Sequence, residues 1–353
     1  MSGVSDLAGL LRHWDVEIAL GSAVLAGPQG RALRVTAEDG RHFILKSRSG
    51  KLDDTLEVAV LSQLAAQGLP VAAPMPTPEG VYEVVWEGSG YSLYPYLPGR
   101  VYDQHYTKRD SVTTAILIRA AAYGRGLARL HQGLATLSDR DGYSTIDVPG
   151  QLRRWVRSAL PETAASEYGL DAVYTRFEPW LFARYDELPQ QAIHRDAHPG
   201  NLLIQDGEVS GFIDWEISTR GPRVFDLAYC STALLSAAGG IPARRQAWLK
   251  QLAALVAGYT EVQELTEAER ALLGQMQMAI QLIFAAYHAD AGRPEQMVSS
   301  LESLQWLVAN RNAVSVAIGA VGRASEHWSR GCDVSQVRAG TGPAGTIFEE
   351  ELI

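Results

Sequence analysis

The chain has 353 residues, 46% of them apolar and 20% charged, with a net charge of −9. That length accommodates two domains or two lobes, and the acidic balance argues against a general binder of phosphate backbones, which needs basic patches. The two cysteines, Cys230 and Cys332, suggest neither a disulfide framework nor a zinc site. Cys230 sits in the apolar run from Leu227 to Leu235 and reads as a small buried hydrophobe. The N-terminus lacks a basic region followed by a long apolar stretch. No window reaches about 18 consecutive apolar residues. The expectation is a cytoplasmic protein with neither a membrane nor a nucleic acid as partner.

Residues 16–46 read as strands joined by turns. Val24-Leu25-Ala26 leads into the turn Gly27-Pro28-Gln29-Gly30, and Ala32-Leu33-Arg34-Val35 follows. Glu38-Asp39-Gly40 is a hairpin signal before the strand His42-Phe43-Ile44-Leu45-Lys46. A helix is expected over residues 54–67, capped by Asp53 or Asp54, with Val58, Leu61 and Leu64 at apolar spacing and Gly68 at its end. Two more strands are expected near Tyr82–Trp86 and Tyr91–Tyr94. After Leu97-Pro98-Gly99 the pattern turns helical, with helices expected at Val112–Gln132, Leu152–Leu160, Tyr168–Glu187, Ala243–Gly258, Glu267–Ala289 and Pro294–Ala320. The division implied is a β-rich lobe over residues 1–97 and a helical lobe over residues 98–353.

One short β-rich piece, residues 192–214, interrupts the helices. Asp206-Gly207 between apolar runs is a two-residue hairpin signal, so Leu202–Gln205 and Glu208–Ile213 should pair as antiparallel strands. Folding that hairpin brings Asn201 and Asp214 to the same open end, with Asp196 on the loop just before. Two carboxylates and an amide in a small volume suit phosphoryl transfer. One carboxylate orients the acceptor hydroxyl and accepts its proton, while an oxygen-donor pair holds Mg²⁺ between the phosphates. Asp196 is assigned the first role, Asn201 and Asp214 the second. The phosphates also need a cation, and Lys46 ends its strand just ahead of the helix carrying Glu57. Glu57 shares a face with Leu61 and Leu64, so it can pair with Lys46 and fix its reach. The backbone of the Gly27–Gly30 turn is placed to cover the phosphates.

Taken together these pieces resemble the aminoglycoside phosphotransferase and choline kinase family, the small-molecule branch of the protein-kinase-like fold. The resemblance rests on Lys46 in its strand, Glu57 in its helix, Gly68-Leu69-Pro70-Val71, Tyr94-Pro95-Tyr96-Leu97-Pro98-Gly99 and Leu127-Ala128-Arg129-Leu130-His131. It rests most on the run from His194-Arg195-Asp196 to Asn201, on Ile213-Asp214-Trp215-Glu216, and on Gly221-Pro222-Arg223-Val224-Phe225-Asp226. It implies an α+β two-lobe fold and ATP, with GTP as the alternative, as co-substrate together with Mg²⁺. It also implies that backbone near Tyr94, Tyr96 and Leu97 holds the base. Asp226 reads as a structural brace for the loop rather than a ligand. Trp215-Glu216 after the metal aspartate matches the small-molecule branch rather than the protein kinases.

The acceptor is a small molecule with a hydroxyl, and the acidic balance favours an aminoglycoside-like molecule or another amine or amino alcohol. Homoserine, choline, methylthioribose and other sugars are the alternatives. Glu216, His198 and Asp290 are candidate acceptor contacts, with Asp103 and Glu326 further acidic candidates. Two other readings compete. A metal-dependent hydrolase would use His194 and His198 as ligands. A non-catalytic scaffold with a kinase fold would have no use for Lys46, Asp196, Asn201 and Asp214 together.

Overall fold

The computed structural model describes residues 6–18, 24–26, 32–48, 56–102, 114–137 and 142–319. Gly27, Gly30, Asp53, Asp54, Asp103, Glu326 and Cys332 lie outside the described residues. The chain divides into two units: one holds the described residues up to 48 together with 73–96, the other holds 56–72 together with 97–319.

The first unit contains α1 (Leu7–Leu11) and the strands β1 (Val24–Ala26), β2 (Ala32–Thr36), β3 (His42–Arg48), β4 (Val84–Trp86) and β5 (Ser89–Pro95). The strands form one antiparallel sheet in the order β1-β2-β3-β5-β4. The expected turn at Glu38-Asp39-Gly40 is present: Ala37 N donates to Arg41 O at 2.8 Å and Gly40 sits at φ +84°. A second tight turn, Glu87-Gly88, has φ +49° and +81°, the backbone that a two-residue hairpin of right-handed twist requires. Strand alternation buries Phe43 and Leu45 and leaves Ile44 and Lys46 on the opposite side of β3. The buried face packs on Leu10, Leu11, Trp14 and Val16, and Trp14 Nε1 donates to Met75 O at 2.9 Å.

The second unit is mostly helical. In chain order it comprises α2 (Glu57–Ala66), α3 (Thr114–Ala135), α4 (Val148–Gln151), α5 (Arg157–Ala159), α6 (Glu162–Glu167), α7 (Leu170–Arg184), α8 (Val224–Ala238), α9 (Pro242–Thr260), α10 (Glu267–Asp290), α11 (Pro294–Ala309) and α12 (Arg311–Ile318). Four short strands sit among them: β6 (Gln190–Ile193) pairs with β9 (Thr219–Pro222), and β7 (Leu202–Gln205) pairs with β8 (Glu208–Phe212). Helix α2 groups by its contacts with this unit, burying Val58, Val60, Leu61 and Leu64.

Several elements differ from the sequence reading. Helix α8 falls where only an apolar run was noted. A π-helical turn at Leu152–Val156 joins α4 to α5. The single helix expected over Pro294–Ala320 is two, divided at Asn310, whose side chain donates to Trp306 O at 2.9 Å. An asparagine side chain that bonds the backbone in this way competes with helix continuation.

Two glycines let α3 and α9 approach backbone to backbone. A Cβ at Gly124 would run into the carbonyl of Leu255, and one at Gly258 into the carbonyl of Ala121. The start of α10 carries a capping box, Thr266 with Glu269, which satisfies two otherwise orphaned N–H groups. Glu269 also receives Arg223 in a buried ion pair, Nε to Oε1 at 2.7 Å, with side chains 8% and 0% exposed. That pair ties α10 to the residue preceding α8. Among the described residues no helix is long and apolar enough to cross a membrane.

Candidate active site

The site is assembled by two short antiparallel strand pairs, β6 with β9 and the β7–β8 hairpin, and by α8. Asp206-Gly207 forms the tight turn of the β7–β8 hairpin with φ +52° and +82°, and a register irregularity falls between Leu203 and Ile204. Leu202 pairs with Phe212, and Ile213 N donates to Asn201 O at 3.0 Å. Asn201 and Asp214 therefore flank the same end of the hairpin, as the turn chemistry dictates.

Asp196 follows β6 on the loop that enters a short 3₁₀ turn, Pro199–Asn201. Its carboxylate is held on both oxygens. Asn201 Nδ2 donates to Oδ2 at 2.8 Å and also to the Asp196 carbonyl at 3.0 Å. The Tyr229 hydroxyl donates to Oδ1 at 2.7 Å. Because both partners of the Asn201 amide are acceptors, its orientation is fixed, and its carbonyl Oδ1 is the atom that could serve a metal. Asp214 is exposed and stands at φ +67°. Two protein oxygens, one amide and one carboxylate, suit Mg²⁺, which keeps waters and phosphate oxygens as its other ligands. Among the described residues no three His, Cys, Asp or Glu side chains are grouped to hold a metal by themselves.

The loop is braced from beneath. Asp226, wholly buried, accepts from His194 N at 2.9 Å and from Arg195 N at 2.8 Å. His131 Nε2 lies 3.2 Å from the same carboxylate, and its Nδ1 lies 2.8 Å from the Tyr259 hydroxyl. Arg195 stands at φ +70°, a conformation that costs a residue with a side chain about 1–2 kcal/mol. The bond to Asp226 holds it there.

His194 is wholly buried against Trp215, ring centroids 4.4 Å apart. Its Nε2 lies 3.0 Å from Ile213 O, and its Nδ1 accepts from Asp196 N at 3.3 Å. Burial holds its pKa below the ordinary imidazole value, so it is neutral and links the two strands beside the site. With both nitrogens engaged, His194 has no atom to offer a metal, and the hydrolase reading loses one of its two ligands. His198 Nδ1 accepts from Gly200 N at 3.0 Å, and its Nε2 is 3.8 Å from Asp196 Oδ1. Burial pushes its pKa down as well, against the pull of Asp196 and Asp214.

The remaining expected residues are distributed more widely. Glu216 is exposed two residues beyond Asp214. Asp290 ends α10 and accepts from Trp155 Nε1 at 2.6 Å. Glu57 opens α2, and Leu97 also belongs to the second unit. Lys46, Tyr94 and Tyr96 belong to the first unit. Lys46 pairs with Ala32 and Ser92 across β3. Tyr94 is buried opposite Ile44. Tyr96 N donates to His42 O at 3.1 Å.

One residue of the site was not anticipated. Tyr229 lies three residues after Asp226, on the same face of a helix. That spacing is the signal that would have found it, had α8 been recognised.

Comparison with known proteins follows the same lines. A model of a phosphotransferase enzyme family matches residues 22–273. An uncharacterized protein of Deinococcus radiodurans is 27% identical over 62% of this chain, and the match spans 61% of that protein, less than two thirds of its length. A homoserine kinase of Phenylobacterium zucineum is 27% identical over 76% of this chain and 79% of its own. Among solved structures, an amicoumacin kinase in complex with AMP-PNP, Ca²⁺ and its ligand superimposes with a TM-score of 0.63 at 16% identity, covering 86% of this chain and 93% of the other. At that identity the likeness establishes the fold, which is the α+β protein-kinase-like one.

Proposed function

The chain belongs to the phosphotransferase enzyme family, and on that premise we propose that it is a small-molecule kinase moving the γ-phosphate of ATP, or of GTP, to a hydroxyl group. The observation that carries this reading is the Asp196 carboxylate, held on both oxygens by Asn201 and Tyr229, beside the hairpin end that bears Asp214. A hydroxyl that donates to Asp196 is oriented for attack on the γ-phosphorus. The oxygen–phosphorus bond forms as the bond from phosphorus to the β,γ-bridging oxygen breaks, and the nucleoside diphosphate departs with that oxygen. The hydroxyl proton passes to Asp196 and then to solvent. Such chemistry is positioning plus charge stabilisation, with little covalent work for the protein.

Asn201 Oδ1 and Asp214 are the groups that would hold Mg²⁺, which when bound supplies neutralisation of the phosphate charge. Lys46 is the proposed cation on the phosphates, and the backbone near Tyr94 and Tyr96 is proposed to hold the base. Residues 1–97 are proposed to serve the nucleotide, and residues 98–353 to carry the catalytic loop, residues 192–216, and the acceptor pocket.

The acceptor is proposed to be an amine-bearing alcohol. A net charge of −9 favours a cationic substrate, and Glu216 and His198 lie near Asp214 and Asp196. The relative from Phenylobacterium carries the name of an enzyme for homoserine, itself an amino alcohol. A panel of L-homoserine, choline, methylthioribose and an aminoglycoside, each with Mg·ATP, tests the reading by acceptor-dependent ADP release. At least one amine-bearing member is expected to raise ADP release well above the acceptor-free rate. No rise with any member, in a protein that does bind Mg·ATP, would favour a nucleotide-binding scaffold instead.

A further inference from the structure

Helix α8 grips three consecutive residues of the catalytic loop. The Asp226 carboxylate takes the backbone N–H groups of His194 and Arg195 at 2.9 and 2.8 Å. One turn on, the Tyr229 hydroxyl donates to the side chain of Asp196 at 2.7 Å. We infer that Tyr229 is a positioning residue for phosphoryl transfer, setting with Asn201 the plane in which the Asp196 carboxylate meets the acceptor hydroxyl. The inference rests on the transfer reading given above.

A carboxylate on a short side chain turns freely about its last bond unless both oxygens are held. Asn201 holds Oδ2, and by itself it would leave Oδ1 free to swing. Tyr229 closes the second side, and each oxygen keeps a lone pair for the incoming hydroxyl. The phenol is itself fixed. Its ring lies 6.0 Å from Phe225 and 5.5 Å from Phe284. Burial, followed by the neighbouring Asp196 carboxylate, pushes its pKa well above the ordinary phenol value, so the hydroxyl stays a donor throughout the working range. A base held in one orientation gains rate because the reacting atoms are pre-aligned, and a misplacement of about 1 Å costs on the order of 100-fold.

Tyr229→Phe removes one oxygen and keeps the ring. With the acceptor that gives the largest ADP release in the panel above, kcat is expected to fall about 10- to 100-fold. KM for ATP should stay within about twofold, because the bond acts on the base and not on nucleotide binding. Placed in an Asp196→Asn background, the same substitution should leave the residual rate unchanged, since a residue acting through Asp196 has nothing left to position. A Tyr229→Phe enzyme with wild-type kcat overturns the inference, as does a Tyr229→Phe, Asp196→Asn double variant that turns over more slowly than Asp196→Asn alone. If Asp196→Asn itself keeps wild-type turnover, the transfer reading fails first. An inactive Asp196→Asn beside a fully active Tyr229→Phe sinks the inference alone.

Discussion

Replacing Asp226 with asparagine changes one atom's chemistry at the centre of the loop brace. The carboxylate accepts from two backbone N–H groups, that of buried His194 at 2.9 Å and that of half-buried Arg195 at 2.8 Å. An asparagine keeps one acceptor and turns an NH₂ toward the other donor. The lost charge-assisted bond is worth about 1.5–3 kcal/mol, and the stranded N–H adds about 1–3 kcal/mol. A loss of about 3–5 kcal/mol is therefore expected, a large share of a stability that for most domains is about 5–15 kcal/mol. Arg195 would also relax from φ +70°, releasing about 1–2 kcal/mol of strain and carrying Asp196 with it. That movement should lower kcat by about 100-fold. Urea unfolding followed by circular dichroism reads the first effect, and ADP release at saturating substrate reads the second. A variant that loses under about 1 kcal/mol and keeps wild-type kcat would refute the brace.

Three further outcomes follow from the packing. Glu269→Gln leaves the Arg223 guanidinium buried without its counter-charge and should cost about 3–5 kcal/mol in urea unfolding; a loss below about 1 kcal/mol would show that the pair does not tie α8 to α10. Gly124→Ala forces α3 away from the Leu255 carbonyl of α9 and should cost about 1–3 kcal/mol, against a neutral or stabilising effect if that contact is loose. His194 is held neutral by burial, so the unfolded chain takes up its proton near pH 6.5 while the folded chain waits for a lower pH. Stability should be complete above about pH 6.5 and fall below it by up to about 1.4 kcal/mol per pH unit, until the pH passes the lowered folded value. His198 and His288, also depressed by burial, act in the same direction. Unfolding curves at several values between pH 7.5 and pH 5 measure this, and His194→Gln should flatten the slope.

The parts of the site that were legible in the sequence are those whose geometry is local. Asp206-Gly207 can adopt the two positive φ values of a tight turn, so it specifies the hairpin and with it the meeting of Asn201 and Asp214. Residues 38–40 specify the corresponding turn in the sheet. What stayed hidden depends on surroundings. Helix α8 is apolar on nearly every side, with Leu227, Ala228, Cys230 and Leu235 all wholly buried. A helix buried all round shows no amphipathic period, and without it Tyr229 had no evident place. The break at Asn310 was hidden for a related reason, since the apolar pattern runs through it and only the side-chain bond to Trp306 marks the stop. The π-helical turn at Leu152–Val156 follows from packing of its neighbours, and residue type alone does not announce it.

The central claim concerns Asp196, whose carboxylate is already held by Asn201 and Tyr229. Acceptor-dependent ADP release by wild type and by Asp196→Ala, measured beside Mg·ATP binding for both, tests it most directly. The account predicts turnover in wild type, loss of turnover by at least about 1000-fold in the variant, and nucleotide binding nearly intact in both. An Asp196→Ala enzyme that turns over as wild type does would contradict it.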